Sequence, residues 1–292
     1  MTRSKRTNRQ STRRLVESAL MVAISTALSL FTVAQLPYGG SITVASALPI
    51  ILVAYRHGIG WGLGAGAAYA VLQQLLGLSN LSYFSTWQSV LAIIVLDYLA
   101  AFTVTGLGGI FRGIIRRQST ALCCGALLIS LLRYVCHVVS GATVWAGFSI
   151  PTEAALLYSL GYNATYMIPE TLVLVLAAWY LGSVMDFGRE QPTRMVGTAE
   201  NRTAGGFIAA VMAVGVAVAA VDVVLLFPRL QNADSGKFDF SGLWAEPFLE
   251  SCWLPISVIT AVGLITAAIL CVIAKRRGEQ SIASEKTPSN EA

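Results

Sequence analysis

Charge is what this sequence lacks most. Asp, Glu, Lys and Arg make up 12% of its residues, against roughly 25% in an ordinary soluble domain. With 55% hydrophobic residues and a mean hydropathy of +0.66, the chain is composed for lipid rather than water. Cysteine is sparse and unpatterned: Cys123, Cys124, Cys136 and Cys271 lie within apolar runs and Cys252 at the edge of one, with no CxxC pair. That pattern argues against a disulfide framework or a zinc site. The sequence also has no GxxxxGK[ST] phosphate loop, no HExxH helix and no GxSxG elbow, so no motif supplies ATP hydrolysis or the commoner hydrolytic chemistries. Its net charge of +5 and pI near 9.0 come from basic residues that flank apolar runs. They form no basic face interleaved with aromatics, which removes the argument for a nucleic-acid partner.

What the sequence has is apolar runs, most of them about 20 residues long, enough to cross a hydrocarbon core roughly 30 Å thick. Hydropathy places spans near 15–34, 44–56, 59–78, 88–111, 120–146, 153–184, 205–227 and 253–274. An even number of crossings puts both termini on one side. With that side cytoplasmic, 17 of the 20 Lys and Arg residues fall inside, as the positive-inside rule requires of a plasma-membrane protein. Only Arg229 and Lys237 fall outside, and Arg133 lies within a span. The basic start followed by Leu15 to Ala34 superficially resembles a signal peptide. Its apolar stretch is too long, and no small-x-small cleavage site follows, so it is read as the first span.

The expected fold class is therefore all-α, a polytopic membrane helical bundle. Its expected parts are a basic cytoplasmic N-terminus (1–14), a six-helix core (15–184), a cytoplasmic linker (185–204), a two-span extension (205–274) and a disordered cytoplasmic tail (275–292). Span 44–56 is short and follows Pro37, Gly39 and Gly40, so the outer segment 35–43 is expected to fold over a cavity.

Polar residues at membrane depth mark where such a cavity is to be sought. The densest group runs from Arg133 to Trp145, where Arg133, His137, Gly141 and Trp145 recur every four residues and form one stripe on a helix. Such a stripe must face protein or water, because burying it in lipid would cost several kcal/mol. Gly141 permits close approach to backbone, and the Trp145 indole offers a stacking surface. The next span adds Tyr158, Tyr162, Asn163 and Tyr166, and the Asn163 amide can donate and accept toward one edge of a heterocycle. Asp97, an acid inside an apolar span, must find a cation, a proton or several donors. A cationic ligand or an ion pair with Arg133 would each satisfy it. One carboxylate among aromatic rings suits a desolvated heteroaromatic cation, such as a thiazolium linked to an aminopyrimidine. Ala19 and Ala23, with Ala27 a turn further, form a small-residue stripe that allows close helix packing. Glu153, Glu170 and Asp222 suggest no ligand role, and Glu170 is expected to pair within the bundle.

Five segments, in order, resemble the thiamine-specific S components (ThiT family) of energy-coupling factor transporters. They are Glu17 to Ala23, Tyr38-Gly39-Gly40 leading to Leu48-Pro49-Ile50, Leu96-Asp97-Tyr98, Arg133 to Trp145, and Tyr158 to Asn163. The resemblance covers residues 15–184. It implies a six-helix, non-enzymatic subunit without cofactor or metal, which captures thiamine from outside and works with a transmembrane coupling protein and two ATPase subunits. It further implies substrate contacts at Asp97, His137, Gly141, Trp145, Tyr158 and Asn163, and partner docking at Ala19 and Ala23. Two departures stand out. Gly40 occupies a place where some members carry tryptophan, and the segment Gln88 to Asp97 is longer between its polar residues. The extension 205–274 has no counterpart in that family. The competing expectation is a secondary transporter for a cationic small molecule with Asp97 as coupling site. Against it, the sequence shows no inverted repeat. An intramembrane enzyme using His137 with Asp97 or Glu170 finds no motif spacing to support it.

Overall fold

The computed structural model describes residues 3–36, 40–83, 86–147 and 152–195, together with 254–263 and the helical positions 210, 214, 218, 221, 265–266, 269–270 and 273. The chain divides into two compact units, Met1–Gly182 with Phe187–Thr193, and Ser183–Asp186 with Arg194–Ala292. Among the described residues, the longer helices are α1 (Arg3–Leu30), α2 (Leu48–His57), α3 (Ile59–Leu76), α4 (Trp87–Leu107), α5 (Gln118–Gly147) and α6 (Thr152–Val184), with a short 3-10 helix at Leu78–Tyr83. Helical segments dominate, as the all-α reading requires. Three stretches, Trp87–Leu107, Gln118–Thr143 and Ser159–Val184, are by themselves long and apolar enough to cross a membrane.

The first apolar run does not stay helical to residue 34. α1 ends at Leu30, and Thr32–Gln35 (β1) pairs antiparallel with Ser41–Thr43 (β2) in the register Thr32↔Thr43, Ala34↔Ile42 and Gln35↔Ser41. Leu36 N–H donates to the Gly40 carbonyl at 2.7 Å and closes the hairpin. α2 starts with Pro49 in its first turn, where a missing N–H costs nothing. Gly58, at φ 95°, then turns the chain directly into α3. The core between α1, α2 and α3 is built from Val22, Ile50, Val53, Ala65 and Tyr69, with Met21, Trp61 and Phe102 against it. α3 meets the end of α4 at backbone distance: a Cβ on Gly62 would strike the Gly106 carbonyl oxygen, so both positions need glycine.

α4 changes character along its length. Thr86 caps it, accepting from Ser89 N–H at 3.3 Å, and the stretch Ile93–Ala100 widens into a π-helix before the helix resumes at Ala101. Local π geometry recurs at functional sites because it redirects side chains without breaking the helix. Pro169 sits inside α6 and removes one backbone donor in the turn that carries Glu170. Glu17 of α1 pairs with Arg56 and lies 3.1 Å from His57 Nε2. Arg56 also donates to the carbonyls of Phe187 (3.1 Å), Arg189 (3.3 Å) and Glu190 (3.1 Å), which ties α1 and α2 to the segment after α6.

In the second unit, Leu254–Gly263 is an apolar helix. A Cβ on Gly263 would meet the Val218 side chain, so helical residues near 218 and 263 pack closely. The other residues of the expected spans 205–227 and 253–274 lie largely outside the described residues.

Candidate functional site

One cavity of about 250 Å³ opens among α3 to α6 and the β1–β2 hairpin. Its lining includes Asp97 and Tyr98 from the π-helical turn, His137 and Gly141 from α5, and Asn163 from α6. It also includes Arg133, Glu170, Thr43, Ser46 and Tyr69. Thus Asp97, His137, Gly141 and Asn163, four of the six substrate-contact positions expected from sequence, come together around a shared hollow. Trp145 and Tyr158 belong to α5 and α6, but their side chains lie outside the described residues, as does Glu153.

The ionisable groups pair differently from the sequence expectation. Asp97 faces His137 rather than Arg133, with Asp97 Oδ1 and His137 Nδ1 2.9 Å apart. Arg133 instead lies 3.5 Å from Glu170, both side chains nearly fully buried, and its guanidinium stacks 5.1 Å from the Phe102 ring centre. Thr43 Oγ1 donates to Glu170 Oε1 at 2.8 Å, which helps solvate that carboxylate. Glu170 therefore lines the floor of the cavity through a buried pair that sequence separation hid.

The charge sum follows from these pairings. Arg133 and Glu170 cancel, leaving the Asp97 carboxylate as the uncompensated charge among the lining residues when His137 is neutral. An ionised Asp97 accepts a hydrogen bond from the Nδ1–H of His137, and Nε2 of the neutral ring then presents a lone pair. That Nε2 is buried without a hydrogen-bond partner among the described residues. The site thus offers one negative charge and one unused acceptor, a poor place for an anion and a good one for a cation bearing N–H groups.

α5 and α6 are stapled through the same residues. Ser159 Oγ donates to the Val138 carbonyl at 2.8 Å, Tyr134 Oη to the Leu160 carbonyl at 2.9 Å, and Asn163 Nδ2 to the His137 carbonyl at 3.3 Å. Tyr166 Oη donates to Asn163 Oδ1 at 2.6 Å. Gly141 borders the cavity, and a Cβ there would also strike Ser159 Oγ and come within 3.4 Å of Asn163 Nδ2. Its small size therefore serves helix contact as well as cavity space. Residues 15–186 match the thiamine transporter protein family (Thia_YuaJ). The chain belongs to that family. It is 33% identical over 171 residues to the thiamine transporter ThiT of Bacillus subtilis (strain 168), covering 55% of this chain and 85% of that protein. The matched region of the family member contains every residue that lines the cavity, from Ser29 to Glu170.

A second hollow, of about 670 Å³, is apolar and lies between α1 and α3. Ser18, Ala19 and Val22 form one side and Gly60, Trp61 and Gly64 the other. Ala19 and Ala23 are both exposed, and Ala19 lines this groove.

Proposed function

We propose that this chain is the substrate-binding subunit of an energy-coupling factor importer in the plasma membrane, with both termini cytoplasmic, and that it captures thiamine from outside. The observation that carries this reading is the Asp97 carboxylate at the cavity, 2.9 Å from His137 Nδ1, with the Nε2 of that ring lacking a hydrogen-bond partner among the described residues. Thiamine matches it: a permanent thiazolium cation joined to an aminopyrimidine with N–H donors. In this reading Asp97, His137, Gly141, Trp145, Tyr158 and Asn163 contact substrate. Residues 15–184 act as the binding core and residues 205–274 as an appended two-span module. The chain itself performs no chemistry and takes no cofactor.

With no phosphate-binding loop in the sequence, energy must come from outside the chain, here from two ATPase subunits acting through a transmembrane coupling protein. The open groove at Ala19, with Ala23 one turn on, is the proposed docking face. Ala19→Trp is expected to leave thiamine binding intact and abolish co-purification with the coupling protein. Retained co-purification would remove the docking assignment.

Titration calorimetry on the purified chain tests the substrate. Tight thiamine binding without ATP is the expected result, and absence of thiamine binding alongside binding of another vitamin would overturn it. Gradient-driven uptake by proteoliposomes holding this chain alone would replace the subunit reading with a secondary transporter coupled through Asp97.

A further inference from the structure

The chain passes from α4 to α5 through residues 108–117, between two stretches, Trp87–Leu107 and Gln118–Thr143, that are each long and apolar enough to cross a membrane. This connection therefore lies at a membrane surface. It reads Gly-Gly-Ile-Phe-Arg-Gly-Ile-Ile-Arg-Arg, a mixture of bulky apolar and basic residues where a connection facing water alone would be polar. Ile114 is 72% exposed and Ile110 44% exposed. A single bare isoleucine is ordinary on a protein surface. Two of them beside a pair of arginines at a membrane surface make an amphipathic pattern.

The connection is held at both ends. The N–H groups of Ile114 and Ile115 both donate to the Phe111 carbonyl, at 3.1 and 3.0 Å, and Gly113, at φ 87°, makes the turn. Arg112 donates to the carbonyls of Tyr55 and Arg56 at the end of α2, and its guanidinium lies 5.5 Å from the Tyr55 ring centre. On the α5 side, Gln118 donates to the Gly182 carbonyl at 3.0 Å and accepts from Phe187 N–H at 2.9 Å. Arg112 is thus occupied within the protein. Arg116 and Arg117 are not: both are exposed, and their side chains have no hydrogen-bond or ion-pair partner among the described residues. They do not serve the helix they precede either, because cations beside the first turn of α5 oppose its dipole. Nothing in the fold accounts for the two arginines.

What accounts for them is a partner that is anionic and apolar at once. Isoleucine side chains can enter the acyl boundary of a bilayer while arginines stay at headgroup level, where phosphate oxygens match the guanidinium fork. A soluble anion would engage the arginines and leave the isoleucines bare. We propose that residues 110–117 form an anionic-phospholipid site, in which Arg116 and Arg117 hold the headgroup phosphate and Ile110 and Ile114 lie against the acyl chains. The site shares no residue with the cavity and does not depend on the identity of the substrate.

Native mass spectrometry of the delipidated full-length protein, titrated in detergent with phosphatidylglycerol or phosphatidylcholine of the same acyl chains, tests the site. Phosphatidylglycerol should bind more tightly. Replacing both arginines, Arg116→Gln with Arg117→Gln, should weaken it about fivefold for each charge removed, the usual effect of one basic side chain at an anionic lipid surface. Phosphatidylcholine binding should hardly change. Arg194→Gln, which removes an exposed arginine from another segment, should leave the preference intact. Ile114→Ser should weaken both lipids alike, and the soluble headgroup glycerophosphoglycerol should not compete. Equal affinity of the native protein for the two lipids, an unchanged preference in the double variant, or the same loss in Arg194→Gln overturns the site. Competition by glycerophosphoglycerol at the concentrations used for lipid also overturns it, in favour of a site for soluble phosphate esters. An unchanged preference in the double variant together with lost co-purification of a partner subunit would assign the arginines to a protein interface instead. Melting temperature and monodisperse elution report folding. Should the double variant fail that check, the single variants Arg116→Gln and Arg117→Gln decide, each by its own fivefold loss.

Discussion

Asp97 and His137 act as a unit because each supplies what the other needs. The carboxylate fixes the imidazole tautomer, and the imidazole holds the carboxylate at the cavity wall. Asp97→Asn retains an oxygen that can accept the Nδ1 proton, so it removes charge while leaving the geometry largely in place. Thiamine affinity should fall about tenfold to hundredfold, the range for a charge-assisted hydrogen bond, and calorimetry at fixed ionic strength measures it. Equal affinity in the variant would mean that the ligand cation lies elsewhere. The Arg133–Glu170 pair behaves differently. Glu170→Gln leaves Arg133 buried against a neutral amide, which costs on the order of 3 kcal/mol and lowers the melting temperature. Adding Arg133→Gln should restore most of that loss, because the cost arises from an unmatched charge; a double variant as unstable as the single would contradict this. Asp97, His137 and Asn163 were legible in the sequence as polar residues in apolar spans. The pairing was not, because nothing local indicates which of two carboxylates faces Arg133. Glu170 follows Pro169 in a helix that reads as ordinary from its composition, so its place on the cavity floor emerges only when α6 is set against α5 and the hairpin.

The element that aims the carboxylate is the π-helical stretch Ile93–Ala100. The segment beyond it is anchored to α3 by close backbone contacts, Gly62 against Gly106 and Gly66 against the Thr103 carbonyl. Residues 101–107 therefore set the rotational frame. Deleting Leu99, which is substantially exposed, should turn Asp97 by about 100° relative to that anchor, one residue's worth of helical rotation. Binding should be lost while helicity by circular dichroism persists; retained affinity would show that the π geometry does not position the acid. Hydropathy located this span but not its π character, since the same apolar residues satisfy either helical form. The hairpin was hidden in a related way. Phe31-Thr32-Val33-Ala34 is apolar enough to extend the first span on paper, yet the helix ends at Leu30. Pairing of Thr32–Gln35 with Ser41–Thr43 satisfies backbone groups that would otherwise be stranded. The expectation of a segment folding over a cavity from 35 to 43 came from Pro37, Gly39 and Gly40 themselves. What fastens it, the Tyr162 hydroxyl that accepts from Gly40 N–H at 3.1 Å, leaves no local trace in the sequence.

At the scale of the whole chain, the question is whether residues 196–292 take part in binding. The cavity is lined by residues between Ser29 and Glu170, all inside the first compact unit. The helix contacts that shape it, Ser159 to Val138 and Asn163 to His137, and the hairpin anchor at Gly40 also lie there. The family match ends at residue 186, and the Arg56 interactions with the carbonyls of Phe187, Arg189 and Glu190 secure the segment that follows α6. A chain ending after Met195 retains each of these contacts. It should bind thiamine with the affinity of the full-length protein, measured by calorimetry in the same detergent. A large loss of affinity in a truncated protein that still elutes as a single species would assign residues 196–292 a direct part in forming the site, because none of the contacts identified at the cavity would have been removed.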